Sequence, residues 1–340
     1  MLNQQIPIIQ KYKIMSTAEK KDLNFDIALR PKQWEFYIGQ DKTKNNLRVL
    51  IDAARSRKEP IEHVLLYGPA GLGKTTLANL IATETGSSIK ITSGPAIEKV
   101  GDLASILTGL EDGDVLFIDE IHRLNRLIEE ILYPAMENNI LDIIIGKGPS
   151  AKTLQLQLPR FTIIAATTKI GSLSSPLRSR FGATYKLDFY SKEDIQKILK
   201  KSSELLNIEI DEDALDVISK TARSTPRIAN RLLKRVRDFS QVNNSSKITK
   251  DLANGALALM EIDSIGLEDG DIKMLETIIH KYNGGPVGLK TIAASTLEEI
   301  ETIEEVYEPY LLQIGFLSRT PQGRIATTKA YEHLNIKPIK

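Results

Sequence analysis

The stretch Gly68-Pro-Ala-Gly-Leu-Gly73-Lys74-Thr75 limits what this chain can fold into more than any other feature. It fills every fixed position of the glycine-rich phosphate loop known as Walker A. Its setting is also the required one, with an apolar run at 63–67 before it and helically spaced residues at 75–85 after it. Gly68, Gly71 and Gly73 let backbone N–H groups crowd inward around phosphate oxygens, and the following helix adds partial positive charge at its N-terminus. Lys74 is expected to reach the β and γ phosphates of ATP, and the Thr75 hydroxyl to ligate Mg2+. A plain glycine-rich turn is the rival reading, and the complete motif in context leaves it little room.

Asp114-Val-Leu-Phe-Ile-Asp119-Glu120 supplies a second half, a buried strand ending in two carboxylates. Asp119 is expected to hold the Mg2+ coordination sphere and Glu120 to polarise an attacking water. Alone, such a strand end is common and merely solvated. Paired with the loop upstream, it points to hydrolysis rather than phosphate transfer to a small acceptor. Arg180, in Ser174-Ser-Pro-Leu-Arg178-Ser-Arg180-Phe181, is a candidate finger for a neighbouring subunit's site, or equally a surface salt bridge. Arg227 follows Thr225-Pro226 and so falls in the first turn of a helix. The helix dipole disfavours a cation there unless it faces an anion such as phosphate; a solvated arginine is the alternative.

A chain of 340 residues predicts two or three domains. Lysine plus arginine (45) nearly balances aspartate plus glutamate (44), so nucleic-acid binding has to come from a local patch. The absence of cysteine excludes disulfides and cysteine zinc sites, and His63, His122, His280 and His333 are scattered rather than clustered for a metal. No apolar run approaches the ~20 residues of a membrane helix. The first twenty residues lack the order of a signal peptide and read as a loosely docked or disordered tail. A cytoplasmic protein without membrane contact is expected.

Between 29 and 189, apolar runs at 63–67, 115–118 and 162–166 alternate with helical stretches such as 75–85 and 126–136. That predicts an α/β domain over 1–190, a parallel sheet with helices on both faces. From 191 to 261 the pattern becomes a small helical domain, opened by Ser191 as a cap and carrying Ile228, Leu232, Val236 and Phe239 on one stripe. From 264 to 340, helices at 289–294 and 302–312 precede strands at 315–318 and 324–327 around a Thr320-Pro-Gln-Gly323 turn. Two helices and a hairpin suggest a winged helix.

The order Walker A, Asp-Glu, Ala-Thr-Thr168, Ser-Arg180-Phe, Thr-Pro-Arg227 resembles the AAA+ ATPases, whose subunits form rings. Longer strings resemble the RuvB family, bacterial motors of Holliday-junction branch migration. They include Arg30-Pro31, Tyr37-Ile-Gly-Gln40, Thr92-Ser-Gly-Pro95, Asp119-Glu-Ile-His-Arg-Leu124, Leu132-Tyr-Pro-Ala-Met-Glu137, Gly284-Gly-Pro-Val-Gly288 and Gly315-Phe-Leu-Ser-Arg-Thr320. The resemblance covers 29–331. It implies a helical lid after the ATPase domain and nucleotide contacts from Leu29, Arg30, Gly71, Lys74, Thr75, Thr76 and Tyr190. It makes Thr168 sensor 1, reading the γ-phosphate, Arg227 sensor 2, and Arg180 a finger acting on the neighbouring subunit. Glu137, Asn138 and Asn139 match a stretch that approaches nucleotide, although two amides after a helix also suit a cap or turn.

The resemblance further implies a β-hairpin within 140–158 that docks on RuvA, here through Leu154 and Leu156, which alternate with glutamines. It places double-stranded DNA on the wing, at Arg319 and Arg324, inside a homohexameric ring that works with RuvA and meets RuvC as a further partner. Ile300 stands where many members have a third arginine, and Lys169 where arginine is usual. Two rivals remain at this point. A clamp-loader-like switch would lack the winged helix. An ATP-gated regulator would read bases, whereas the wing offers phosphate-type arginines beside an acidic stretch at 298–308.

Overall fold

Successive apolar residues along each strand point alternately to opposite faces, and this builds the largest part of the molecule. The computed structural model describes residues 28–145 and 152–337. The chain divides into two units, 1–30 and 31–340, and the tail expected at 1–20 lies outside the described residues. In the second unit run β1 (Val64–Tyr67), β2 (Ile89–Ser93), β3 (Val115–Asp119), the antiparallel pair β4 (Ile140–Ile145) and β5 (Lys152–Gln157), β6 (Thr162–Thr167) and β7 (Ala183–Lys186). Five of these form a parallel sheet in the order β2-β3-β6-β1-β7. Val64, Leu66, Phe117 and Ile164 enter one core; Leu65, Leu116, Ile118 and Ile163 enter a second core on the other face. Helices Asp41–Arg57 and Lys74–Thr85 cover the first face, through Leu47, Ile51, Leu77 and Ile81. Helices Val100–Thr108 and Arg126–Asn138 cover the second, through Leu103, Leu107, Ile128 and Leu132. With both faces buried, the strands need continuous apolar runs, which is how they read in the sequence.

The helical domain opens as expected. Ser191 caps helix Lys192–Leu205, its hydroxyl accepting from Asp194 N at 3.1 Å. Helices Glu212–Thr221, Pro226–Val242 and Lys250–Leu259 follow, with a short parallel pair β8 (Glu209–Ile210) and β9 (Lys247–Ile248). Leu232 and Val236 are buried, Ile228 and Phe239 pack at the margin, and all belong to the same core as the first sheet face. The lid and the sheet thus share one hydrophobic core.

The third part has its own core, around Met274, Ile278, Ile292, Ile303, Leu311 and Phe316. Here the sequence reading needs three corrections. A helix at Asp269–Glu276, continued by a wide π turn at Thr277–Lys281, precedes the two that were expected; Gly270 and Thr277, both weak helix formers, hide it. The helix expected at 302–312 starts at Ile300 and contains a second wide turn, Ile303–Tyr307, before Glu308–Gln313. The hairpin is tighter, its first strand two residues later and its second one residue earlier, as β10 (Leu317–Thr320) and β11 (Gly323–Ala326). Gly315, at φ 75°, ends the helix, and Phe316 N is still committed to Leu311 O at 2.9 Å. Val287 adds a bridge to Arg324, which completes the wing.

Candidate nucleotide site and the surfaces around it

Gly68 lies at φ 144°, and a Cβ there would meet Leu187 O at 2.5 Å, so no other residue fits without movement. Gly73, at φ 92°, turns the chain into the helix that starts at Lys74. Lys74 is 7% exposed, and its Nζ donates to Gly68 O at 2.8 Å and Pro69 O at 2.9 Å. Burial pushes the amine's pKa down, and the charges of Glu120 and Asp119 oppose that. A buried ammonium whose hydrogen bonds, among the described residues, go to neutral carbonyls at a helix N-terminus suits a phosphate chain. Thr75 and Asp119 add hard oxygen donors of the kind Mg2+ takes. Among the described residues no group of three or more His, Cys, Asp or Glu could cage a metal. Mg2+ held by one or two protein oxygens plus phosphates and water fits that donor set.

Strand order brings the remaining chemistry to this loop. β6 lies between β1 and β3, so Thr168 emerges between the phosphate loop and the Asp119-Glu120 pair. Thr168 Oγ1 donates to Glu120 Oε2 at 3.2 Å. Glu120 itself is left-handed, at φ 48° and ψ 47°, a conformation that costs a non-glycine residue about 1–2 kcal/mol. Its N–H donates to Asp119 Oδ1 at 3.0 Å. His122 is a site residue that the sequence reading missed. Its Nδ1 lies 3.1 Å from Glu120 Oε2 and 2.9 Å from Thr167 Oγ1. Burial draws its pKa down, against the pull of Glu120. The available signal was its place two residues after the paired carboxylates. Gly94 has a similar explanation: a Cβ there would lie 2.4 Å from Glu120 O, so the Thr92-Ser-Gly-Pro95 string keeps room for the Glu120 turn.

From the lid side, a Cβ on Gly71 would come 3.2 Å from Arg227 Cβ. Arg227 is exposed in the first turn of helix Pro226–Val242 and has no ion-pair partner among the described residues. Tyr190 is buried, its hydroxyl 3.2 Å from Tyr37 Oη and donating to Leu72 O at 3.3 Å, and burial pushes its pKa up to about 12. In this structure it therefore props the loop from beneath. Leu29 and Arg30 belong to the first unit, 1–30.

Three family models match end to end: "Holliday junction DNA helicase RuvB P-loop domain" at 29–187, "RuvB AAA lid domain" at 190–263 and "RuvB C-terminal winged helix domain" at 264–335. The chain belongs to the RuvB family. It is 58% identical over 315 residues to the Holliday junction branch migration complex subunit RuvB of Dehalococcoides mccartyi, covering 93% of this chain and 90% of that one. It is similar to the solved Thermotoga maritima RuvB Holliday junction branch migration motor, with a TM-score of 0.84 at 50% identity over 91% of this chain and 99% of that one. A point variant of the Thermotoga protein gives a TM-score of 0.85 at the same identity and coverage. A winged helix closes this RuvB order of domains, and neither the clamp-loader-like switch nor the operator-reading regulator is favoured.

Other RuvB-type surfaces differ in how far their residues come together. The finger candidate Arg180 donates from Nη1 to Pro176 O at 2.7 Å, pairs through Nη2 with Glu137 Oε1 at 3.0 Å, and lies 4.2 Å over the Tyr133 ring. Tyr133 and Ser174 both donate to buried Glu129, at 3.1 and 2.6 Å. Glu129, Tyr133 and Glu137 recur at four-residue spacing, so one helix face holds Arg180. Glu137 therefore serves Arg180 in this structure. Asn138 ends that helix. Asn139 is its left-handed cap (φ 52°), and its carbonyl accepts from Leu158 N at 2.8 Å where the hairpin closes. On the hairpin, Leu154 faces Ile143 and is exposed, whereas Leu156 faces Leu141 and packs against the second core. Residues 146–151 of the segment lie outside the described residues.

The wing arginines, expected to face DNA phosphates, are already paired in this structure. Arg319 and Arg324 face each other across the hairpin and both clamp Glu308, whose side chain is 1% exposed. Arg319 reaches its oxygens at 3.1 and 2.6 Å, and Arg324 at 2.9 and 3.2 Å. The acidic helix read as a neighbour thus supplies the counter-charge itself. Arg319 remains 54% exposed and Arg324 only 14%, so Arg319 offers the more accessible guanidinium.

Proposed function

We propose that this chain is an ATP-driven DNA motor that moves Holliday junctions in concert with RuvA, in recombination and repair in the cytoplasm. The observation that carries the reading is the complete RuvB order of domains around a phosphate loop whose Lys74, Asp119, Glu120 and Thr168 converge. The division of labour would follow 1–190 for the tail and ATPase domain, 191–261 for the lid and 264–340 for the DNA-binding winged helix. Lys74, Thr76 and the loop N–H groups hold the phosphates of ATP, with Tyr190 near the nucleotide. Mg2+, held by Thr75 and Asp119, would neutralise charge across the phosphates. Thr168 and His122 engage one oxygen of Glu120 and leave the other to take a proton from water. Arg227 meets the phosphates from the lid, and Arg180 completes the site of the next subunit in a homohexameric ring. Leu154, with Leu156 behind it, presents the hairpin to RuvA. Arg319 and Arg324 take duplex phosphates, and RuvC meets the assembly afterwards.

The test is branch migration of a synthetic four-way junction. Purified protein with RuvA and ATP should separate the arms. No arm separation with ATP and RuvA present, from protein that hydrolyses ATP normally, would reject the motor reading.

A further inference from the structure

The helical segment that begins at Ile300 lies immediately before the wing, where a helix-turn-helix type domain presents its reading helix. Yet it carries Glu301, Glu304, Glu305 and Glu308, and carboxylates repel a phosphate backbone. Those carboxylates go to two places. Glu308 holds both wing arginines, and Glu304 lies 3.8 Å from Arg324 Nη2. Glu305 and Glu301 instead meet the ATPase domain, where Lys169 Nζ is 2.7 Å from Glu305 Oε1 and 3.8 Å from Glu301 Oε1.

Lys169 directly follows the sensor residue Thr168. Its N–H donates to Thr167 Oγ1 at 3.0 Å, and that oxygen lies 2.9 Å from His122 Nδ1. The His122 ring and the Thr168 hydroxyl both reach Glu120 Oε2, at 3.1 and 3.2 Å. A continuous run of ion pairs, hydrogen bonds and one stretch of helix therefore joins the wing arginines to the water-activating carboxylate. Hydrogen bonding to Glu305, then the surrounding carboxylate charges, raises the pKa of the Lys169 amine and keeps it a cation. A partly exposed pair of this kind stabilises a fold little. Its consequence lies in where it holds the two domains.

We propose that Lys169 and Glu305 form a positioning pair that couples DNA engagement at the wing to the setting of Glu120. DNA phosphates compete with Glu308 and Glu304 for Arg319 and Arg324, the helix between them responds, and Glu305 passes the change to the end of β6 through Lys169. Coupling needs an element that both sites bias, and this helix is that element. The inference rests on the wing arginines carrying the DNA.

The experiment measures ATP turnover without DNA and with saturating mixed-sequence duplex, alongside duplex affinity, for Glu305→Gln, Lys169→Gln, Lys169→Arg and the charge-swapped pair Lys169→Glu with Glu305→Lys. The Gln variants should keep duplex affinity and DNA-free turnover but lose about fivefold or more of the stimulation by DNA. Lys169→Arg should retain the stimulation, and the swapped pair should regain it. Unchanged stimulation in both Gln variants overturns the coupling, as does a swapped pair no better than the singles. Loss of stimulation that only tracks lost affinity also overturns it. Arg319→Ala judges the wing separately: normal duplex affinity there rejects the wing as the DNA site and this coupling with it, a failure distinct from unchanged stimulation in a chain that binds through the wing.

Discussion

Glu120 combines two demands that pull against each other. It occupies a left-handed backbone conformation, and its carboxylate is shared between Thr168 and His122. In the proposed role of general base, a carboxylate held in this way would be set in place before substrate arrives, and Gly94 leaves space for its turn. Glu120→Gln should lower ATP turnover by about 100-fold or more while nucleotide still binds. Equilibrium binding of a fluorescent nucleotide alongside single-turnover hydrolysis would show it, and near-normal hydrolysis would remove Glu120 from the base role. The residue types at this site were legible, because phosphate, metal and water each need particular chemistry at fixed spacing. The part played by His122 was not legible, since a lone histidine after a strand looks the same whether it faces a carboxylate or solvent.

At the scale of elements, the wing depends on one buried carboxylate. Burial pushes the Glu308 pKa up, but Arg319 and Arg324 outweigh it and leave the group below its usual 4.5. A carboxyl held below its unfolded value adds stability above that value and loses it as pH falls through the lowered folded one. Glu308→Gln should therefore destabilise the winged domain at neutral pH by about 2–3 kcal/mol, less than a fully buried pair because Arg319 stays half in water. In denaturant titrations, the gap between wild type and variant should close as pH is taken below 4.5. A gap that persists there would mean that Glu308 acts through packing rather than charge. The sequence reading put the acidic stretch and the arginines on separate features because they are separated by a turn and a strand. Only the fold of the hairpin back onto the helix joins them.

At the scale of the molecule, Arg180, the proposed finger, packs on one face of helix Arg126–Asn138, which follows the Asp119-Glu120 turn after one short 3-10 turn. Under that proposal, the strand that ends in a subunit's own paired carboxylates is linked to the residue it would lend to its neighbour. Arg180→Ala and Glu120→Gln proteins should each hydrolyse little ATP alone. Mixed under ring-forming conditions, they should regain a fraction of wild-type turnover, because some interfaces then pair an intact Glu120 with an intact Arg180. No recovery in rings shown to be mixed would count against a finger acting between subunits. The lid touches the winged domain through a buried ion pair: Arg223 pairs with Asp271 at 2.9 Å, both side chains buried, and lies 4.6 Å from the Tyr310 ring. Arg223 is four residues before Arg227, the proposed sensor 2, so this contact lies close to the lid's side of the nucleotide site.

The sequence by itself determined the phosphate loop, the paired carboxylates, the buried parallel strands, the capped lid helix and the membership of a family. Each of these is written in a short string, where local sterics, glycine freedom and the burial of both strand faces leave few alternatives. The tertiary structure alone decided that β6 runs between β1 and β3, that Glu308 neutralises both wing arginines, and that Lys169 reaches across to Glu305. These pairings join residues far apart in the chain. Their geometry follows from how whole layers pack, and no window of neighbouring residues contains it.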